Sequence, residues 1–443
     1  MAKYTQEDII RLVEDQDVEF IRLQFTDGFG NLKNVAVTAS QVCKVLANRV
    51  AFDGSAIEGF ADAEDEDLYL YPDLDTFVIF PWRPQQGRVA RFICDIRYED
   101  GRPYECDSRQ ILKNAIEEAK AQGYELSVGT ELEFFLLTLD EEGIPCEKVK
   151  EQGGYFDVGP ADSGENARRE MVMTLEEMGF VVEASHHESA PAQHEIDLNP
   201  TDPLSAADNI VTFKMAVRTI ARRHGLHATF MPKPNEGAAG SGMHLKLSLK
   251  KGEEKCFVLQ DGTQGISDTA YRFMTGVLNR SREIALLTNP LVNSYKRLVP
   301  GGQAPIYIGW SETNRAALFR ILSRRGGNAG VELRNPDPAA NPYLVLALCI
   351  KAGLNGINNK EEGGKHLTKS ASSMTAELAE NEGIERLPQN LGEALNEAKK
   401  SEFVKQVLGP KFFESYITVK KQEWEKYSIQ VSKWELEQYL NRF

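Results

Sequence analysis

The chain has 443 residues, 42% of them hydrophobic and 26% charged, with a formal net charge of −15. That length can bury one large core and a smaller one, so two domains are expected, and the acidic balance argues against nucleic acid or an anionic membrane surface as partner. No apolar run approaches the ~18 residues of a membrane span, and the N-terminus carries no apolar signal region, so no membrane association and a cytoplasmic location are expected.

In chain order, Thr5 caps a short helix that runs to Glu14. Phe20 to Thr26 and Leu32 to Val37 flank Asp27-Gly28-Phe29-Gly30, the pattern of a hairpin. Phe77 to Phe80 and Val89 to Ile96 add two strands, and Gly101-Arg102-Pro103 then breaks the pattern. Asp107 to Lys120 reads as the helix that starts a larger domain, placing the division between 1–103 and 104–443. Asp202-Pro203 opens a further helix, with Ala206, Ile210, Phe213, Val217 and Ile220 as its apolar stripe and Gly225 at its end. Asp337-Pro338 is expected to open another, whose Leu344 to Ile350 run is apolar all round and therefore buried. From about Leu391 the chain reads as helical. The six cysteines (Cys43, Cys94, Cys106, Cys146, Cys256, Cys349) form no Cys-x-x-Cys pair and read as free thiols.

Within this frame, acidic residues are distributed in a way that suggests chemistry. Glu131 and Glu133 lie two apart in an apolar strand, so both carboxylates face one way while Leu132 and Phe134 face the other. Two carboxylates under such cover repel unless a cation sits between them. His186, His187, Glu188, His194 and Glu195 cluster in a second segment; a surface loop can produce the same grouping. His244 follows a glycine-rich turn, and Glu332 alternates with Arg334. Carboxylate-dominated sites suit Mg2+ or Mn2+, ions used above all to neutralise phosphates. Arg315, Arg320, Arg324, Arg325 and Arg334 crowd a short stretch, and with Arg297 they favour an anion site over a solvated face. Together these features point to ATP chemistry.

The strings Phe52-Asp-Gly-Ser55, Gly153-Gly-Tyr-Phe156, Glu183-Ala-Ser-His-His-Glu188, Gly240-Ser-Gly-Met-His244, Asn293-Ser-Tyr-Lys-Arg297 and Asn335-Pro-Asp-Pro-Ala-Ala-Asn-Pro-Tyr343 resemble those of the bacterial type I glutamine synthetase family, Gram-positive and non-adenylylated in kind. The resemblance runs from about Tyr4 to the C-terminus. It implies an α+β protein with an N-terminal β-grasp domain and a C-terminal catalytic domain, a curved antiparallel sheet with flanking helices. It also implies a double-ringed dodecamer with sites between neighbouring subunits, a terminal helix docked on the opposite ring, and a nitrogen-regulatory protein as a further partner. The substrates implied are L-glutamate, ATP and ammonium or another amine. Two or more Mg2+ or Mn2+ ions are expected: Glu133, Glu188 and Glu195 for one, Glu131, His244 and Glu332 for the other. By the same carry-over Asp53, Gln303 and Arg315 are catalytic, and Tyr155, His186, Gly240, Arg297 and Arg334 bind substrate. Glu183, Ser248, Arg315 and Arg320 serve ATP.

Departures from the family pattern gather around the amine. The flap reads Pro300-Gly-Gly-Gln303-Ala-Pro305, with Gln where the family has Glu, and Ala56 replaces a Ser. Ala239 stands for an Asn, and Gly330 for an Arg on the nucleotide side. At Asp62, close relatives carry an Arg tied to feedback inhibition. Three readings follow: ligation of ammonia to glutamate, ligation of a different amine, and a catalytically weak member acting as a binding assembly. Retention of all six metal ligands favours the first two.

Overall fold

The computed structural model describes residues 3–57, 59, 67–83, 86–146, 149, 151–259, 265–324, 328–369 and 374–443, those at 323–324, 328–329 and 376 by backbone alone. Asp62, Arg325 and the Arg324 side chain therefore lie outside the described residues.

The first helix, Gln6–Asp15, starts at a Thr5 capping box, in which Thr5 and Asp8 satisfy each other's backbone amides. A five-stranded sheet follows, built from β1 (Val18–Thr26), β2 (Leu32–Thr38), β3 (Val50–Phe52), β4 (Leu68–Ile79) and β5 (Arg88–Arg97) in the order β2-β1-β5-β4-β3. The β1–β2 hairpin pairs antiparallel and β1 pairs parallel with β5, the mixed pattern of a β-grasp. Strand β4 is longer than the Phe77–Phe80 expectation. Its middle holds Pro72, Asp73 and Asp75, residues disfavoured in strands; Pro72 and Asp73 pair with β5 nonetheless, and the register shifts between Asp73 and Val78.

The second sheet has nine strands: β6 (Glu125–Thr138), β7 (Val182–His187), β8 (Gln193–Thr201), β9 (Leu226–Thr229), β10 (Met243–Lys251), β11 (Glu254–Lys255), β12 (Trp310–Ser311), β13 (Phe319–Arg324) and β14 (Asn328–Leu333). Its main path runs β12-β13-β14-β10-β6-β8-β7, antiparallel except for the short β12–β13 pair. The sheet is curved, with helices packed against it. Helix Pro203–Arg223 buries the predicted Ala206, Ile210, Phe213, Val217 and Ile220 stripe, and the chain leaves it through Gly225 at φ +69°.

One helix boundary differs from expectation. The buried helix carrying Leu344 to Ile350 spans Pro342–Asn358 and starts at Asn341, not at Asp337-Pro338. Both Asp-Pro and Asn-Pro are cap-plus-proline signals, but Asp337 is used elsewhere: its carboxylate accepts from Asn289 Nδ2 at 3.0 Å and the backbone amide of Ala339. Asn341 caps the helix and donates from Nδ2 to the Gly28 carbonyl at 3.2 Å, fastening the β1–β2 turn to the second sheet's helices. Gly30 makes that approach possible, since a Cβ there would lie 2.8 Å from the Asn341 Cα and its φ is +81°.

A buried ion network joins the two sheets' layers. Arg109, on helix Ser108–Ala121, contacts Asp95 at 2.5 Å, Asp73 at 2.7 Å and Asp208 at 2.8 Å. Tyr343 donates to Asp208 at 2.6 Å. Lys113 also reaches Asp95 at 2.5 Å, but all three carboxylates share the one guanidinium, so replacing it leaves buried charge undercompensated. Arg109→Met is expected to cost about 3–5 kcal/mol of stability in denaturant unfolding; an unchanged midpoint would show the network to be dispensable.

Candidate active site

Strand register decides which side chains meet. His244 on β10 lies opposite Glu131 on β6, and Lys246 lies opposite Glu332 on β14. On the other edge of β6, Glu131 faces Asp197 and Glu133 faces Glu195 on β8, and Glu195 faces His186 on β7. Beyond β14, Arg320 on β13 pairs with Glu332. Partners opposite one another share a face, as do residues two apart, so all nine side chains leave the sheet on the same side. Leu132, Phe134, Leu245 and Val331 point the other way into the core.

The resulting nest is strongly acidic. Ligand atoms of Glu131, His244 and Glu332 all lie within 4.8 Å of one another, and the same holds for His186, Glu188 and Glu195 and for Glu131, Glu195 and Asp197. His244 Nδ1 sits 2.9 Å from Glu131 and 3.7 Å from Glu332, and its Nε2 lies 3.8 Å from Glu133. Glu133 accepts from the Gly242 amide at 2.8 Å and from Gln193 at 2.9 Å, which aims its free oxygen into the nest. Glu188 accepts from the Ser189 amide at 2.7 Å.

Burial and the neighbouring Glu133, Asp197 and Glu131 charges push the Glu195 carboxyl well above its ordinary 4.5. Glu131 goes the other way. Burial opposes its ionisation too, but the hydrogen bond and charge of His244, with Lys246 at 2.7 Å, outweigh that and hold it well below the ordinary range. Asp197 Oδ1 is buried with no hydrogen-bond partner. Oxygen donors, an orphaned carboxylate oxygen and a carboxyl that resists ionising make up a donor set suited to hard divalent cations. A separate buried grouping, Asp162, His187 and His194, is already served by a cation: Arg168 lies 2.6 Å from Asp162 and 2.7 Å from His194.

Arginines border the nest. Arg297 is buried and donates to the carbonyls of Asn335 and Arg334 at 2.8 and 3.2 Å. A Cβ on Gly242 would lie 2.6 Å from His244 and 2.7 Å from Arg297, so this glycine lets the guanidinium and imidazole close on the backbone together. Gly240 is equally constrained, since its Cβ would meet the Pro232 carbonyl at 2.3 Å. Arg334 pairs with Glu332, Arg320 lies 3.4 Å from it, and the Arg315 carbonyl accepts from Arg334 at 2.7 Å. A hydrogen bond with the Tyr155 hydroxyl raises the Arg315 pKa further. Tyr155 stacks on Phe156 at 4.0 Å, and both rings meet His186 edge-on.

The remaining expected residues lie further out. Glu183 is reached by Lys246 at 3.4 Å, and Ser248 lines a cavity of about 280 Å³ with Lys246 and Gly330. Gln303 is exposed, in a turn that follows Gly301 at φ +77°. Asp53 is not brought to the nest within this chain: it is exposed beside the edge strand β3, and its oxygen accepts from Ser55 at 2.6 and 2.8 Å. Two members of the nest, Asp197 and Lys246, were missed by the sequence reading. Asp197 follows Glu195 by two and Lys246 follows His244 by two, the same alternation that singled out Glu131 and Glu133.

Two family models match, the glutamine synthetase beta-grasp domain over residues 17–99 and the glutamine synthetase catalytic domain over 105–439. The chain belongs to the glutamine synthetase family. Among its relatives, a glutamine synthetase of Clostridium saccharobutylicum is 52% identical over 443 residues, covering 100% of both chains. One from Staphylococcus aureus is 50% identical, covering 99% of each. The chain is of the type I, Gram-positive kind these relatives represent. Among solved structures, a GmaS/ADP complex superposes with a TM-score of 0.87 at 30% identity, over 98% of this chain and 99% of that one, and GmaS without ligand gives 0.86. Among the described residues no helix is long and apolar enough to cross a membrane.

The crowding of carboxylates has a measurable cost without metal. Since folding raises the Glu195 carboxyl well above 4.5, its contribution is fully present below that value and is lost as pH rises through the raised folded value. Glu195→Gln is expected to raise the metal-free thermal midpoint at pH 7 by a few degrees while cutting the gain that Mn2+ gives the parent. Equal gains in parent and variant would place the ion elsewhere.

Proposed function

We propose that this enzyme joins ammonia to the γ-carboxylate of L-glutamate through a γ-glutamyl phosphate, giving glutamine, ADP and phosphate. The observation that carries the reading is the single acidic nest, assembled on one face of five neighbouring strands and bordered by buried and half-buried arginines. Glu131, His244 and Glu332 would hold one Mg2+ or Mn2+ and Glu133, Glu188 and Glu195 a second. When bound, these ions neutralise and orient the phosphates of ATP and the carboxylate that receives the phosphoryl group.

The side chains supply the rest. Arg297, fixed by two carbonyls, holds the amino acid's anionic end against Gly240. Arg315, Arg320 and Arg334 stabilise charge on the transferred phosphoryl group, with Glu183 and Ser248 along the nucleotide. A γ-carboxylate oxygen attacks the γ-phosphorus as the bond to ADP breaks. The amine then attacks the acyl carbon, gives up a proton to a base or water, and phosphate departs, carrying off the oxygen that could not leave as oxide. Tyr155 and His186 wall the amine side.

Asp53 would reach this site from a neighbouring copy, because within its own chain it sits exposed and apart. The exposed apolar residues of the C-terminal segment, Ile429, Val431, Trp434, Leu440 and Phe443, suit burial against further copies. We therefore read the assembly as the two-ringed dodecamer, with domains divided near residue 103.

A second reading rests on two specific residues. Gln303 brings no carboxylate to the flap and Ala56 no hydroxyl, so the pocket makes weaker demands for a small cation and admits a neutral or bulkier amine. Phosphate release with ATP and glutamate, measured against ammonium, methylamine, ethanolamine and putrescine, tests both. Ammonium is expected to give the highest rate, and Gln303→Glu to raise it by about 10²-fold or more, the span of a restored general base. Another amine winning the panel would establish the second reading. Phosphate release with none of them would contradict ligase chemistry.

A further inference from the structure

Behind the second ion site lies a layer of polar groups that the proposed reaction does not use. His187 and His194 pair across β7 and β8. They alternate with His186 and Glu195, so they leave the sheet on its other face, where both are fully buried. Glu151 meets His187 Nε2 there, with its own side chain only 7% exposed. The same carboxylate accepts from the Ala192 amide at 3.0 Å through one oxygen. Through the other it accepts from the Ser163 hydroxyl and from the Ser163 amide at 3.3 Å. His187 Nδ1 in turn reaches the Glu188 carbonyl at 2.7 Å. Gly153 leaves room for this pairing, since a Cβ there would lie 2.8 Å from His187 Nε2 and 2.9 Å from a Glu151 oxygen.

One carboxylate thus fastens two parts of the site to each other. The first is the β7–β8 turn, which carries Glu188 and leads into Glu195, and which Ala192 closes at φ +60°. The second is the segment holding Tyr155 and Phe156, where the Phe156 amide donates to the His187 carbonyl at 3.1 Å with Phe156 at φ +65°. Left-handed backbone at an alanine and a phenylalanine persists only where the surroundings hold it. A glutamine is no substitute for the carboxylate, because at either end its amide nitrogen would face a backbone N–H. From this geometry we infer that Glu151 is a positioning residue: it fixes the Tyr155–Phe156 wall against the turn bearing Glu188 and Glu195, and so sets the amine pocket and the second ion together. Its oxygens are taken up on the back of the sheet, and it acts through the residues it holds.

This role rests on the ion and amine readings of the site, and Mn2+ titration followed by the paramagnetic resonance of the free ion, together with initial rates, separates them. The parent is expected to bind two Mn2+ per chain. Glu151→Gln should weaken one of them about ten-fold and raise the ammonium KM by a similar factor, with the other ion and the ATP KM unchanged. Glu151→Asp keeps both acceptor oxygens and should recover most of both losses. Gly153→Ala retains the carboxylate and the imidazole but drives a methyl between them, and it should move the same two constants should the amide variant fail to fold. Unchanged constants in Glu151→Gln and Gly153→Ala overturn the inference. So does a uniform loss across both ions and ATP, which would make Glu151 a support of the fold alone. A parent that binds fewer than two Mn2+ contradicts the ion reading itself, and one that turns over no ammonium contradicts the ammonia reading.

Discussion

Everything functional in this molecule depends on the register of β13, β14, β10, β6, β8 and β7. A one-residue slip in any pair would turn a carboxylate into the core and a leucine or phenylalanine into the site. The register is therefore pinned by both faces at once. Leu132, Phe134, Leu245 and Val331 are fully buried on one side, while on the other the acidic groups are bearable only in the presence of cations. The apolar face stabilises the very arrangement that the polar face opposes.

That opposition has a purpose. Carboxylates brought within 4.8 Å of each other cannot all stay ionised in a buried site without compensation, and the chain meets this with a graded set of cations. Lys246, Arg320 and Arg334 are covalently part of the fold and neutralise Glu131 and Glu332 in advance. Among the described residues, Glu133, Glu188 and Glu195 form no ion pair with a lysine or arginine, and amide, hydroxyl and imidazole groups are among their partners. The site is thus polarised, with fixed cations toward one end and a demand for added ones toward the other. The Arg109 network at the junction of the two sheets follows a different rule, since its carboxylates are matched internally and require no ligand.

Much of this was legible in the sequence because alternation in a strand is a strict rule. Glu131 and Glu133 announce a shared face, and the apolar residues between them announce a covered one. The helix of Pro203–Arg223 was equally plain, with a cap, a proline and a regular stripe. What escaped was whatever depends on pairing. Lys246 and Asp197 obey the same alternation as their neighbours, yet only the β10–β6–β8 register shows that they enter the nest. The start of the Pro342–Asn358 helix was missed for a similar reason: two cap-and-proline signals compete within five residues, and the tertiary contact of Asn341 with Gly28 distinguishes them. Asp53 marks another boundary: it lies exposed beside β3, away from the nest, and the role proposed for it in a neighbouring copy would leave no trace in its own chain's contacts.

The central claim is that one strand-built face holds two divalent ions side by side. Anomalous diffraction from crystals grown with Mn2+ and ADP tests it directly. The account predicts two peaks, one bonded to Glu131, His244 and Glu332 and the other to Glu133, Glu188 and Glu195, at separations of roughly 2.0–2.3 Å from the nearest oxygens and nitrogen. A single peak, or manganese bound away from these six side chains, would contradict it.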